Sequence, residues 1–221
     1  MRADVPPRPL ADRYRAVIFD MDGLLLDTET LWHDAEVELF RRYGGDFTWE
    51  DKMAVIGTSF DTSARYFAER LGATPEQGPA LIAQMLDIMQ ESLRRQVAGR
   101  PGALELVDRL RGRIPLGLAS NSPRALVDTA LATAQLGGVF DAIVTSDDVE
   151  HSKPAPDIYL LACERLGVPP RLALALEDSP SGVAAAKAAG LACIGVPQFA
   201  ETDVSAADRV IDSLEELLAE A

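Results

Sequence analysis

Short, uninterrupted apolar runs recur along the chain and alternate with segments of helical periodicity. These runs are apolar at every position rather than at every second one, which is typical of strands that are covered on both faces. Their alternation with helices predicts an α/β fold with a Rossmann-like, doubly wound parallel sheet and right-handed crossovers. We predict five such strands and a weaker sixth, at residues 15–19, 115–120, 142–146, 172–178, 192–196 and 209–213.

The stretch from about residue 30 to 95 breaks this alternation. No convincing strand pattern interrupts it, and three amphipathic helical patterns lie at 31–45, 62–72 and 78–97. We interpret it as a helical module inserted after the first strand. The predicted division is an α/β core made of residues 1–29 and 97–221, with an α-helical cap domain at 30–96.

Two of the helices that follow strands have clear start signals. Ser122 is the predicted N-cap of one helix, with Pro123 at its first position. Ser179 is the predicted N-cap of another, followed by Pro180 and ending before Gly190.

The composition limits the classes of partner and compartment. The chain has 221 residues, 48% of them hydrophobic, and a formal net charge of −14. A uniformly acidic surface repels nucleic acid and anionic membranes, although a local cation or metal ion can still attract an anionic substrate. We therefore expect no nucleic acid and no membrane as partner, whereas a small anionic substrate is not excluded.

The cysteines and the first residues bear on localisation. Cys163 and Cys193 lie in apolar patterns and outside any metal-binding spacing, so we interpret them as buried small side chains. The N-terminal residues contain no apolar segment typical of a secretory signal. We expect a cytoplasmic protein, and a monomer as the default oligomeric state.

Polar residues cluster where the predicted strands end. In open α/β sheets, ligands bind outside the carboxyl ends of the strands, so side chains from separate segments meet at one edge. Asp20 and Asp22 follow the first strand, and Ser120 and Asn121 follow the second. Lys153 comes after the third strand, and Glu177 and Asp178 end the fourth.

This set of residue types favours phosphoryl transfer. Clustered carboxylates repel one another unless a hard divalent cation such as Mg²⁺ binds between them. A lysine and a serine beside helix N–H groups can hold a phosphate. We hypothesise that Asp20 attacks phosphorus and that Asp22 handles the proton, while Gly23 permits the sharp turn after them.

Four segments in order resemble the motifs of the haloacid dehalogenase superfamily, whose members include aspartate-nucleophile phosphatases. They are DMDGLLLDT (20–28), LASNS (118–122), SKPAPD (152–157) and LEDSPSG (176–182). The resemblance covers essentially the whole chain and implies a Rossmann-like core with a small helical cap. Within the superfamily, DGLLLDTETLW and KPAPD are most similar to the branch of sugar phosphatases and β-phosphoglucomutase.

The resemblance also implies roles for individual residues. Asp20 would be the nucleophile and a Mg²⁺ ligand, and Asp22 the general acid and base, with its backbone carbonyl on the metal. Asp22 also argues against C–halogen cleavage, because the superfamily's dehalogenases lack an acid at this position. The remaining implied roles are metal binding by Asp178 with Glu177 nearby, and phosphoryl binding by Ser120, Asn121 and Lys153, with Gly23 beside them.

The cap residues separate a phosphatase from a mutase. β-Phosphoglucomutase carries a histidine where this chain has Trp32, and distal-phosphate ligands on either side of the cap glycine. If Gly57 is that glycine, those positions hold Ile56 and Phe60, which cannot bind phosphate. We therefore expect a Mg²⁺-dependent phosphatase whose partner is a small phosphorylated metabolite, with a sugar or polyol phosphate favoured and Trp32 and Phe60 shaping the substrate site. A mutase remains the alternative, and an inactive binding protein of the same fold is a third.

Overall fold

The computed structural model describes residues 8–56 and 58–221, so the proposed cap glycine Gly57 lies outside the described residues. Within these ranges, six parallel strands form one sheet in the order β3-β2-β1-β4-β5-β6. This is the order of a doubly wound Rossmann-like sheet, which confirms the predicted fold class. The strands are β1 (Ala16–Phe19), β2 (Leu116–Ala119), β3 (Ala142–Val144), β4 (Ala173–Glu177), β5 (Ala192–Gly195) and β6 (Arg209–Val210).

Helices connect the strands and cover both faces of the sheet. Across the described ranges, none of them combines the length and the apolarity that a membrane span requires. They are α1 (Leu10–Arg13), α2 (Glu29–Arg42), α3 (Trp49–Val55), α4 (Phe60–Arg70), α5 (Gly78–Arg95), α6 (Ala103–Leu110), α7 (Arg124–Thr133), α8 (Asp157–Leu166) and α9 (Pro180–Ala188).

The strands are apolar throughout because alternate residues enter two separate cores. In β1, Val17 and Phe19 belong to the larger core, which also contains residues of α2 and α4–α7. Ala16 and Ile18 point to the other face, where they pack with side chains of α8 and α9. Both cysteines are buried in this second core, as predicted, and burial raises the pKa of the Cys193 thiol to about 12.

Helices α2 to α5, from Glu29 to Arg95, occupy the stretch where the sequence predicts the inserted module. Both α2 and α4 pack along α5, which in turn contacts α7 of the sheet-bearing part. The additional short helix α3 was not predicted. The chain enters and leaves this stretch through adjacent segments, since the Asp27 N–H donates to the Ala98 carbonyl (2.9 Å) and the Arg100 N–H to the Leu25 carbonyl (3.0 Å).

Candidate active site

The carboxyl ends of the neighbouring strands β1 and β4 bring three acids together. Asp20 follows β1, and its N–H donates to the Leu176 carbonyl at 3.0 Å. Glu177 is the last residue of β4 and Asp178 comes next. Carboxylate oxygens of Asp20, Glu177 and Asp178 all lie within 4.8 Å of one another. The cluster lies where the strand order reverses, the usual ligand position in such sheets.

Lys153 is the cation at the centre of this cluster. Its Nζ donates to Asp20 Oδ1 (2.6 Å), to Glu177 Oε1 (2.5 Å) and to the Ala119 carbonyl (2.8 Å). The residue is only 4% exposed. Burial by itself lowers the pKa of the lysine, but the two carboxylates outweigh it and raise the pKa overall, so the ammonium stays charged.

The single positive charge of Lys153 does not neutralise three neighbouring carboxylates. Burial and the charge of Glu177 raise the pKa of Asp20 well above its usual range, although Lys153 lowers it. The pKa of Asp178 is raised by the same causes, with Asp20 as its strongest repelling neighbour. A divalent cation would relieve this repulsion, and oxygen ligands of this kind suit Mg²⁺.

Gly23 leaves room for the cluster. Its backbone is left-handed (φ +82°), as the predicted turn requires, and a Cβ there would lie 2.3 Å from Asp178 Oδ2. The residues present therefore fit a metal site, because three carboxylate donors converge and the neighbouring Gly23 has no side chain that would displace them.

The side chain of Asp22 is held by four donors from two segments. Its Oδ1 accepts hydrogen bonds from Thr28 Oγ1 (2.8 Å) and Trp32 Nε1 (3.2 Å). Its Oδ2 accepts from Ser120 Oγ and Ser122 Oγ, both at 2.9 Å. The group proposed to handle the proton is thus oriented by the sheet edge on one side and by helix α2 on the other.

The second motif segment connects Asp22 to Lys153. The Asn121 side chain exchanges two hydrogen bonds with the Lys153 backbone, accepting at Oδ1 (2.9 Å) and donating from Nδ2 (3.2 Å). Ser122 was predicted as a helix N-cap, and this is wrong: Pro123 occupies the N-cap and α7 begins at Arg124. The Ser122 hydroxyl is directed to Asp22 instead, whereas Ser179 caps α9 as predicted.

Two adjoining cavities open at the site. The acidic cavity, about 380 Å³, is lined by Asp20, Lys153 and Asp178. The helix-lined cavity, about 290 Å³, contains Trp32 and Phe60, whose rings lie 6.1 Å apart. Residues shared by both linings are Asp22, Glu29, Ile56, Thr58 and Asn121. Asp22 therefore stands at the boundary between the two spaces.

Several residues of the site were not assigned from the sequence. Ser122 and Thr28 contact Asp22, and Tyr159 donates from its hydroxyl to Glu177 Oε1 at 2.7 Å. A signal existed for Ser122, because it lies two residues after Ser120 at the end of a strand. Tyr159 lies within an ordinary apolar helical pattern, which carries no such signal.

Fold and site together define an α/β enzyme whose acidic, lysine-containing centre lies at the switch point of the sheet. The sequence model of the haloacid dehalogenase-like hydrolases matches residues 17–196, and the chain belongs to this family.

Similar proteins within this family include phosphatases and mutases of phosphorylated sugars. The chain is 34% identical over 185 residues to the fructose-1-phosphate phosphatase YqaB of Escherichia coli K12, covering 84% of this chain and 97% of YqaB. A structure of a CbbY variant from Rhodobacter sphaeroides with xylulose-(1,5)bisphosphate matches with a TM-score of 0.81 and 30% identity, over 92% and 96% of the two chains. A putative β-phosphoglucomutase from Thermotoga maritima matches with a TM-score of 0.74 and 32% identity, over the same shares. The chain is classed with the family's phosphoric monoester hydrolases.

Proposed function

We propose that this protein is a Mg²⁺-dependent phosphatase that hydrolyses a sugar or polyol monophosphate through an aspartyl-phosphate on Asp20. The observation that carries the proposal is the buried Asp20 carboxylate, which is paired with Lys153 and lies beside Glu177 and Asp178. Asp20, Lys153 and Asp178 line one cavity. A sugar substrate is supported by the similarity to YqaB, whose name specifies fructose 1-phosphate.

The reaction proceeds in two displacements. An Asp20 oxygen attacks phosphorus, the bond from phosphorus to the leaving oxygen breaks, and Asp22 donates a proton to that oxygen. A water molecule then attacks the phosphorus and gives its proton to Asp22. The bond between phosphorus and Asp20 breaks, which releases inorganic phosphate and restores both aspartates.

The residues that would hold Mg²⁺ are Asp20, Glu177 and Asp178, together with the backbone carbonyl that the family resemblance assigns to Asp22. When bound, the cation would neutralise charge on the phosphoryl oxygens. Lys153 adds a second positive charge beside Asp20. We assign phosphoryl binding to Ser120, Asn121 and Lys153, with the Asn121 side chain also fixing the Lys153 backbone. For Ser120 this role requires its hydroxyl, which donates to Asp22 in the structure, to turn to the phosphoryl group.

Asp22 must exchange a hydrogen bond before it transfers a proton. All four of its donors belong to the protein, so a leaving oxygen has to replace at least one of them. Its position between the two cavities suits this exchange. The phosphoryl group would then lie in the acidic cavity and the leaving group in the helix-lined cavity.

We propose that residues 30–96 act as a cap over a core formed by 1–29 and 97–221. Helices α2–α5 support this division, because they carry most of the helix-lined cavity and connect to the core through the adjacent segments at Asp27 and Ala98.

The mutase remains the second candidate because a putative β-phosphoglucomutase and a CbbY bound to a sugar bisphosphate share this fold. Ile56 and Phe60 line the helix-lined cavity, and neither can bind a distal phosphate. An inactive binding protein would not need the complete set of acids and the lysine.

The test is phosphate release from a panel of sugar and polyol phosphates, with Mg²⁺, with EDTA, and with Asp20→Asn. We expect metal-dependent release that Asp20→Asn abolishes. Asp108→Asn, the same change on an exposed residue of α6, is the matched control and should retain wild-type activity. Release that persists in Asp20→Asn would contradict the assigned nucleophile, and interconversion of glucose phosphates without release would favour the mutase.

A further inference from the structure

A buried ion cluster lies in the wall of the helix-lined cavity, and one of its members, Glu29, also lines the acidic cavity. Lys52 Nζ is 3.0 Å from Glu29 Oε2 and 3.1 Å from Glu36 Oε2. Lys52 is 3% exposed and Glu36 6% exposed. All three residues line the cavity, so the helices present a fixed set of charges to whatever occupies it.

The lysine is already neutralised by its neighbours. Burial alone lowers the pKa of Lys52, but Glu29 and Glu36 outweigh it and raise the pKa. Burial raises the pKa of Glu36 to about 7 despite Lys52. Whether Glu36 is protonated or ionised, the charges of the three groups do not sum to a positive value.

Other charges around the cavity are negative. Asp22 and Asp61 also line it, and among the described lining residues Lys52 is the sole cation. A second phosphate or a carboxylate on the leaving group would have to displace Glu29 or Glu36 from Lys52 to find a partner. Unpaired buried charges are strongly unfavourable, so such a displacement opposes binding.

Groups that can receive an uncharged, hydroxylated molecule are abundant in the same wall. Glu29 Oε2 is buried and ion-paired with Lys52 at 3.0 Å, but among the described residues it receives no hydrogen bond of good geometry. Trp32 and Phe60 also line the cavity, where aromatic rings can pack against the apolar side of a sugar. Hydroxyl side chains in the lining are Thr58, Ser59, Ser63, Ser122, Ser146 and Ser152.

We propose that the cluster of Glu29, Glu36 and Lys52 selects an uncharged, hydroxyl-rich leaving group and rejects one that carries a second phosphate or a carboxylate. This inference rests on the proposed phosphatase function and names its substrate class. The two carboxylates accept hydrogen bonds from substrate hydroxyls, and their charge excludes anionic leaving groups. Lys52 holds both carboxylates in place and is not a phosphate ligand.

The test compares matched pairs of phosphate esters. Fructose 1-phosphate is paired with fructose 1,6-bisphosphate, and glycerol 3-phosphate with 3-phosphoglycerate, so each pair differs by an anionic group. We expect kcat/KM to favour the neutral leaving group by about 100-fold or more in the wild type. Equal values within both pairs, or a preference for the anionic members, would overturn the inference while leaving the phosphatase intact.

Variants then assign the selectivity to the cluster. Glu36→Gln and Glu29→Gln each remove a carboxylate with little change in shape, and each should reduce the preference by about tenfold. Glu50→Gln, on the exposed side of α3, is the control and should keep the wild-type ratio. Thermal unfolding checks that each variant is folded. If Glu36→Gln does not fold, the test uses Glu29→Gln alone, because Glu29 is the more exposed of the two residues. Unchanged ratios in folded variants would refute the assignment, and no release from any compound would refute the phosphatase itself.

Discussion

Replacing Gly23 with alanine tests whether Asp178 must remain where the structure places it. The added Cβ would lie 2.3 Å from Asp178 Oδ2 and 2.7 Å from Gln198 Oε1. Ordinary van der Waals contact begins at 3.4 Å, so the Asp178 carboxylate would have to move by about 1 Å. The backbone at Gly23 is also left-handed, with φ +82°.

The expected loss of stability in Gly23→Ala has two causes, backbone strain and steric displacement, and a control variant separates them. A left-handed backbone costs alanine about 1–2 kcal/mol, offset by about 0.4–1 kcal/mol from the less flexible unfolded chain. Displacing packed atoms costs a further ~1–3 kcal/mol. Gly44 has φ +74° and nothing within 4 Å of an added Cβ, so Gly44→Ala should show the backbone part alone, about 1 kcal/mol.

Urea unfolding measures the stabilities, and phosphate release with Mg²⁺ measures the activities. We expect Gly23→Ala to be less stable than Gly44→Ala by about 1–3 kcal/mol. We also expect a loss of about 100-fold in kcat/KM, because a 1 Å displacement of a reacting group has this order of effect. Equal stability of the two variants, with wild-type activity in Gly23→Ala, would refute the requirement for a fixed Asp178.

Tyr159, Trp32 and Glu36 can each be tested by one substitution. Tyr159→Phe removes a hydrogen-bond donor to the buried Glu177. It should lower the free energy of unfolding, measured by urea denaturation, by about 1–3 kcal/mol. Trp32→Phe removes one of the four donors to Asp22 and should lower kcat about tenfold in steady-state assays. Because burial raises the pKa of Glu36 to about 7 from 4.5, the folded state favours its protonated form. Stability from this group is therefore full below pH 4.5 and is lost as the pH rises through about 7, by ~1–3 kcal/mol, and Glu36→Gln should remove this dependence of the unfolding temperature on pH.

Exposed residues of the same types provide the controls. Tyr43→Phe and Trp49→Phe, at side chains that are 48% and 55% exposed, should leave stability and kcat nearly unchanged. A rise of kcat in Trp32→Phe would mean that the indole N–H holds Asp22 away from the substrate. Wild-type stability in Tyr159→Phe, or an unaltered pH profile in Glu36→Gln, would contradict the corresponding contact.

The sheet and its acidic edge could be predicted because their causes are local. A strand covered on both faces must be apolar throughout, as in β1 and β4, and parallel strands present their carboxyl ends at one edge. The meeting of Asp20 and Glu177 therefore follows from the pattern. Lys153 lies in the loop after β3, and only the fold of that loop brings it to the two acids. Local rules were misleading at Ser122, where capping preference suggested a helix start and a hydrogen bond to Asp22 prevailed.

The sequence by itself determined the parallel α/β core, the helical stretch after the first strand, and the residue types that point to phosphoryl transfer. Only the tertiary structure decided which side chains complete the site. Thr28, Trp32 and Ser122 converge on Asp22, and Lys52 pairs with Glu29 and Glu36, through the packing of helices against one another and over the sheet edge. Periodicity and capping preference predict the elements themselves, whereas these contacts join residues of different elements, 6 positions apart for Thr28 and 100 for Ser122, and depend on how helices lie across the sheet.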